Sequence, residues 1–416
     1  METYDIGIIG GGPAGLAAAI EAERNGKSVL MVERESKLGG ILKQCIHDGF
    51  GLIEFDELLT GPEYALRFIN EVEKTNVEIK ISTFVHQVEK KENFILTLVN
   101  EEDSVHQVKC KALILANGCR ERTSKQISIH GTRPAGIYTA GTAQYFVNIL
   151  GELPTKRCVI LGSGDIGLIM ARRLTLEGAE VLGVYEIQDK PSGLTRNVAQ
   201  CLDDYNIPLH LSKTVTKVIG EKRVEAVEVA NVDKSFKVIE DSKEIIECDS
   251  LILSVGLIPE NEIAEMLGIE ICPETKGPFV DQTLMTSIRG VFSSGNSLHV
   301  NDLVDYVSET GRIAASNACD YLDKEYEKDL IEVIYDKDDF LYVVPQYIDT
   351  RNDNSSITIY LRLRYELEDV KINFVVNGES VKKKRIKRIK PPEMERIKLD
   401  VNNPIKKIEI VMEGSE

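Results

Sequence analysis

Two glycine clusters carry the most readable chemistry of this chain. Gly10-Gly11-Gly12-Pro13-Ala14-Gly15 follows an apolar run, Tyr4 to Ile9. It precedes an alanine-rich, helix-forming run, Leu16 to Asn25, closed by Gly26. A further strand-like run, Ser28 to Glu33, ends on an acid. In such a strand–turn–helix–strand unit, Gly10 permits the tight bend, Gly12 lets the backbone approach a pyrophosphate, and Gly15 lets helix and strand pack closely. The helix N-terminus then offers free N–H groups and a favourable dipole to the anion. Glu33, 23 residues after Gly10, is placed to accept hydrogen bonds from adenosine ribose hydroxyls.

The signature recurs. Arg157 to Leu161 reads as a strand, Gly162-Ser163-Gly164-Asp165-Ile166-Gly167 as the turn, Leu168 to Glu177 as the helix closed by Gly178, and Val181 to Glu186 as the next strand. Glu186 favours NAD over NADP, because a 2′-phosphate would be repelled by it. Its offset from Gly162 is 24 residues, one more than in the first unit, which puts its orientation in question. The plain alternative is a relic fold that holds only structure. Two such folds in one chain mark a domain-scale duplication.

Other reactive residues are sparse. The 8 cysteines are scattered, and no two form a C-x-x-C pair. That spacing excludes a vicinal redox dithiol and the usual zinc or iron–sulfur pattern. Cys45 and His47 are the candidate catalytic side chains, each with a plain packing role as the alternative. The 6 histidines are dispersed and predict no metal site. His299 is a candidate cofactor neighbour or a polar loop residue. Scattered cysteines point to a reducing compartment. The N-terminus shows no signal-peptide pattern and no apolar run approaches the ~20 residues of a membrane span, so cytoplasm is expected. A net charge of −17 argues against nucleic-acid binding over the whole surface.

The elements that must position these residues follow. Glu78 to Leu98 carries β character; Lys111 to Gly118, Leu251 to Gly256 and Gly290 to Asn296 each read as a strand closing on a glycine. A helix is expected from about Asp305 to Asp323. Beyond residue 330 short β stretches take over: Ser356 to Arg364, Val370 to Val376, Met394 to Leu399 and Ile405 to Met412. Asn377-Gly378, Pro391-Pro392 and Asn402-Asn403-Pro404 mark turns between them. The basic run Lys382 to Lys390 reads as a solvated edge strand or as a docking face for an acidic partner.

Gly10–Gly15 with Glu33, Leu113-Ile114-Leu115-Ala116-Asn117-Gly118, Gly162–Gly167, Gly256-Leu257-Ile258-Pro259 and Gly290–Asn296 resemble, in order, the fingerprints of the two-dinucleotide-binding flavoproteins, the FAD-dependent pyridine nucleotide–disulfide oxidoreductase superfamily. The resemblance, which covers residues 1 to about 325, implies an α/β protein with an FAD-binding domain at 1–117 and 280–328 and an inserted NAD(H)-binding domain at 118–279; the spacing of the later β stretches predicts a small all-β, sandwich-like domain at 329–416. It implies FAD at Gly10, Gly12, Pro13, Ala14, Gly15, Glu33, Arg34, Gly39, Gly40, Val85, Ala116, Asn117, Gly118, Gly295, Asn296 and Gly311. It implies NAD(H), rather than NADP(H), at Gly162, Gly164, Asp165, Ile166, Gly167, Glu186 and Gly256. In that fold hydride passes between nicotinamide C4 and flavin N5. A helix N-terminus near Ser308-Glu309-Thr310-Gly311 is expected to stabilise reduced flavin.

Residues 130–145, together with Gly39 to His47 and Gln200 to Asp204, resemble a narrower branch: flavin subunits that accompany glycerol-3-phosphate dehydrogenase-like, dye-linked proline dehydrogenase and opine oxidase complexes. That likeness implies an oligomer with a partner dehydrogenase or iron–sulfur subunit. Stand-alone oxidation of a small amine or alcohol, and a non-catalytic assembly role, are the rival readings. Three features depart from the superfamily pattern. The redox cysteine pair is missing, Asn296 stands where an Asp is usual, and no dimerisation domain of the disulfide-reductase kind follows residue 330.

Overall fold

The structure, a computed structural model, describes residues 1–324, 327–352, 356–401 and 404–413. Asn402 and Asn403 of the third turn signal lie outside the described residues. The chain forms two compact units: 1–43, 47–119 and 259–416 make the first, and 44–46 with 120–258 the second. The expected boundary at 279/280 therefore falls inside the first unit. So does the β-rich segment after residue 330, expected as a third domain.

In the first unit a sheet runs Glu78–Lys80, Val29–Val32, Thr3–Ile9, Ser104–Leu115, Phe94–Asn100, Phe84–Lys90, and Val291–Ser293 pairs with the end of Ser104–Leu115. Strands Thr3–Ile9, Val29–Val32 and Ser104–Leu115 are mutually parallel, and they are buried over most of the first two and from Ala112 on in the third. Such double burial is why they read as continuous apolar runs instead of alternating ones. The first helix, Pro13–Arg24, starts three residues earlier than expected, with Pro13 in its first turn. Proline fits there because its missing N–H would have no partner anyway. The alanines of this helix admit the long helix Val304–Asp323 to backbone distance: a Cβ on Gly311 would lie 2.1 Å from the Ala14 carbonyl oxygen.

The C-terminal strands form two further sheets in this unit. One runs Tyr347–Asp349, Leu330–Tyr335, Ile408–Glu413, Leu367–Val376, Glu379–Ile389; the other runs Phe340–Val344, Ser356–Leu363, Glu395–Asp400. Apolar side chains of both, including Phe340, Ile359, Phe374 and Ile410, share one buried cluster. Polar ties join this part to the rest of the unit. Gln282 and Asp349 exchange hydrogen bonds of 2.9 and 2.7 Å, and Tyr360 donates to Glu309 at 2.8 Å. The basic run lies on Glu379–Ile389, the edge strand of its sheet. Its cations face acids: Lys383 pairs with Glu413, Lys384 with Glu395, Arg385 with Asp369 and Arg388 with Glu366. The edge-strand reading matches this topology, and compensated charge leaves little for an acidic docking partner.

In the second unit five parallel strands run Ile137–Thr139, Ser250–Leu253, Arg157–Leu161, Glu180–Tyr185, Leu209–His210. A four-stranded sheet, His130–Gly131, Lys213–Ile219, Ala226–Asn231, Glu244–Glu247, packs its valines on one face. Helix Asp165–Leu176 packs on the other.

Candidate dinucleotide sites

At the first turn Gly10 adopts φ +111°, and a Cβ there would sit 2.3 Å from the Ala116 carbonyl oxygen. A Cβ on Gly15 would lie 1.9 Å from the Gly10 carbonyl oxygen. Both positions need glycine for internal packing. Gly12 does not. Its φ is −80°, open to any residue, and a Cβ there would meet nothing nearer than the Gly40 Cα at 3.9 Å. No side chain caps the helix that starts at Pro13, and its first turn carries no acid. Open space, an uncapped helix N-terminus and no acid in its first turn fit a pyrophosphate. Glu33, 6% exposed, accepts from the Gly11 N–H at 2.6 Å and the Glu35 N–H at 2.7 Å. Its remaining lone pairs fit two ribose hydroxyls.

The second turn repeats this frame. Gly162 adopts φ +99°, and a Cβ on Gly167 would lie 2.5 Å from the Gly162 carbonyl oxygen. Gly164, at φ −64°, faces open space as Gly12 does. The extra residue before Glu186 is absorbed by a register shift: Cys158 faces Val181 but Val159 faces Gly183, so Leu182 is bulged out. Glu186 thereby reaches the Ser163 N–H at 3.0 Å, the counterpart of Gly11 and Glu33. Asp165 puts a carboxylate in the first turn of this helix, where it accepts from the Leu194 N–H and the Asn197 side chain. Ile166 is at the surface and Gly256 adopts φ +99°.

Other expected residues scatter in role. Asn117 donates to the Glu260 carbonyl at 2.5 Å, and Arg34 lies 3.6 Å from the Glu260 carboxylate. Asn296 accepts from the Asn301 N–H at 3.0 Å. Gly39 and Gly40 have positive φ, and Gly118 does too, with no neighbour within 4 Å of a Cβ. Val85 is buried in the strand Phe84–Lys90. Gly295 and Gly311 both press on Ala14, so each has a packing role of its own.

The two candidate catalytic side chains lie as follows, and one expected helix end is corrected. Burial pushes the Cys45 thiol up to about 12, which disfavours the thiolate form. His47 is half-buried, with Nδ1 2.9 Å from the Asp48 carbonyl oxygen and its ring against Phe50. Ser308 to Gly311 do not form a helix N-terminus, because the helix begins at Val304 and its first turn holds Asp305. His299 is fully buried, with its ring 5.3 Å from that of Tyr360 and 5.8 Å from that of Tyr342. Sequence reasoning passed over Ser163, Gln188 and Ser192, which all bond Glu186. The only signal was a serine inside the second glycine turn where the first has Gly11.

The fold and these two turns define a protein with two dinucleotide-binding folds. Family comparison agrees: the model of the pyridine nucleotide-disulphide oxidoreductases matches residues 4–314. The chain belongs to this family and is an FAD-dependent oxidoreductase that uses a nicotinamide nucleotide. Ferredoxin–NADP reductase 2 of Bacillus pumilus is 25% identical over 332 residues, 77% of this chain and 93% of that one. Hydrogen cyanide synthase subunit HcnB of Pseudomonas protegens is 26% identical over 284 residues, 63% of this chain and 58% of that one. Among solved structures, T. acidophilum thioredoxin reductase matches with TM-score 0.63 and 22% identity, over 77% of this chain and 99% of that one. L-proline dehydrogenase from P. horikoshii matches with TM-score 0.55 and 18% identity, over 78% and 57%. At these identities the two structures show the shared fold. Among the described residues, no helix is long and apolar enough to cross a membrane.

Proposed function

We propose that the chain is an NAD(H)-linked flavin subunit that relays electrons to or from a partner protein, in a complex that acts on a small substrate such as glycerol 3-phosphate. The observation that carries this reading is two glycine-rich strand–turn–helix folds, each with a carboxylate at the end of its second strand, in a chain whose eight cysteines form no C-x-x-C pair. The sequence offers electrons no C-x-x-C dithiol through which to leave. The similarity to a protein named as a synthase subunit, HcnB, supports a partner.

In this reading Gly10 to Gly15, Glu33, Arg34, Gly39, Gly40, Val85, Ala116 to Gly118, Gly295 and Asn296 hold FAD. Gly162 to Gly167, Glu186 and Gly256 hold NAD(H). When bound, FAD supplies two-electron hydride chemistry at flavin N5. The residues of the chain bind and orient. Each helix N-terminus meets a pyrophosphate, Glu33 and Glu186 orient the riboses, and the buried Glu186 carboxylate rejects a 2′-phosphate. No side chain has to move a proton for hydride exchange itself.

Anaerobic mixing of the purified flavoprotein with NADH and with NADPH tests this. Rapid flavin bleaching by NADH, slow bleaching by NADPH, and co-purification of a partner from the native source are expected. Bleaching by a small amine or alcohol but not by NADH would instead make it a stand-alone dehydrogenase. No bleaching by either, with partners present, would make it an assembly subunit.

A further inference from the structure

The two carboxylates that end the second strand of each fold are engaged differently. A carboxylate offers about four lone-pair sites. Glu33 uses two, both on backbone N–H groups. Glu186 receives four donors. Its Oε2 accepts from the Ser163 N–H at 3.0 Å, the Ser163 hydroxyl at 2.6 Å and the Ser192 hydroxyl at 2.9 Å, and its Oε1 accepts from the Gln188 N–H at 3.0 Å. A ribose presents two hydroxyls: Oε1, with one donor, keeps a lone pair for the first, but Oε2, already holding three donors, has none for the second.

One of the three donors on Oε2 must therefore give way to a second ribose hydroxyl. The Ser163 donors are fixed in the glycine turn and the Gln188 N–H is backbone. Ser192 lies on the loop that follows the strand, and its own N–H donates to the Ser163 hydroxyl at 2.9 Å. The loop presses close: a Cβ on Gly193 would lie 2.8 Å from the Ser163 carbonyl oxygen and 2.9 Å from Asp165 Oδ1. It is pinned beyond by the Leu194 N–H on Asp165 at 2.9 Å.

We propose that Ser192 is a built-in competitor for the adenosine ribose: its hydroxyl occupies Glu186 in the free protein and is displaced when a nicotinamide nucleotide binds. The inference rests on the second fold being the NAD(H) site. It assigns Ser192 a role in setting nucleotide affinity. A nucleotide must release this contact, so the free protein binds more weakly than the bare cradle would.

Calorimetric titration of the FAD-loaded full chain with NAD⁺, which cannot reduce the flavin, tests the proposal. One hydrogen bond to a carboxylate corresponds to roughly a five- to tenfold change in affinity. Ser192→Ala is expected to tighten NAD⁺ by that factor, and Ser192→Thr, which keeps the hydroxyl, to stay near the wild type. A purely structural role for Ser192 would weaken binding in Ser192→Ala. Unchanged or weaker binding by Ser192→Ala, with normal NAD⁺ binding by the wild type, would overturn the competitor role alone. No NAD⁺ binding by any of the three would overturn both it and the reading of the site.

Discussion

Gly12 and Gly15 lie three residues apart and answer to different demands. A methyl group on Gly15 would strike the Gly10 carbonyl oxygen, whereas one on Gly12 would enter open space. Gly15→Ala should therefore destabilise the fold by about 3 kcal/mol or more, in line with overpacking of a rigid backbone contact. Gly12→Ala should leave the stability of the flavin-free protein within about 0.5 kcal/mol and lose most bound FAD. Denaturant unfolding of the apoproteins, with flavin content read by absorbance, separates the two; equal destabilisation would mean that Gly12 is a packing residue. The comparison must use apoproteins, because lost FAD removes linkage stabilisation of its own. His299 gives a second residue-scale prediction. Burial and the nearby Arg362 push its imidazole down to about 3 from 6.5. The unfolded chain then takes up a proton that the folded chain refuses, so stability falls as pH drops from about 6.5 towards 3 and is unaffected above that window. Between pH 7 and pH 5 the wild type should lose about 2 kcal/mol more than His299→Leu, at 1.36 kcal/mol per pH unit. Parallel pH profiles of the two proteins would refute it.

The elements that hold the first site were legible because each local signal agreed with the packing. Thr3–Ile9, Pro13–Arg24, Arg157–Leu161 and Asp165–Leu176 all sit within a few residues of their expected places. What escaped the sequence was decided by neighbours in space. The bulge at Leu182 that turns Glu186 inward depends on its pairing with Arg157–Leu161. Helix Val304–Asp323, by contrast, lies within one residue of its expected place although it begins at a leucine N-cap with no side-chain cap. Tyr347–Asp349 is only three residues long, too short for periodicity to register. The hairpin at Asn377-Gly378 is the opposite case. Both residues have positive φ, 52° and 86°, as a tight two-residue β-turn of that sequence requires. A Cβ on Gly378 would touch nothing within 4 Å. Gly378→Ala should consequently cost about 1 kcal/mol from backbone conformation alone. Gly378→Asn, which tolerates that region, should cost less, and thermal unfolding of the pair checks the order.

At the scale of the molecule, the two folds announce nucleotide binding and the cysteines decide how many electrons the protein can hold. Superfamily resemblance by itself suggests a dithiol working beside the flavin; the chain has none. Burial pushes Cys45, Cys110 and Cys158 up to about 12, and Cys248 and Cys319 to about 11. Thiols held so far above neutral pH do not attack a disulfide, since the thiolate is the reactive species. The isolated chain should therefore store two electrons, all on its flavin. Anaerobic titration should reach full bleaching at one two-electron equivalent per FAD, with no long-wavelength thiolate–flavin band. Prior alkylation with iodoacetamide, or Cys45→Ser, should leave both the end point and the rate of reduction by NADH unchanged. Uptake of four electrons per flavin would instead reveal a hidden cysteine pair. It would return the protein to disulfide chemistry and remove the reason to place its electron acceptor on a partner subunit.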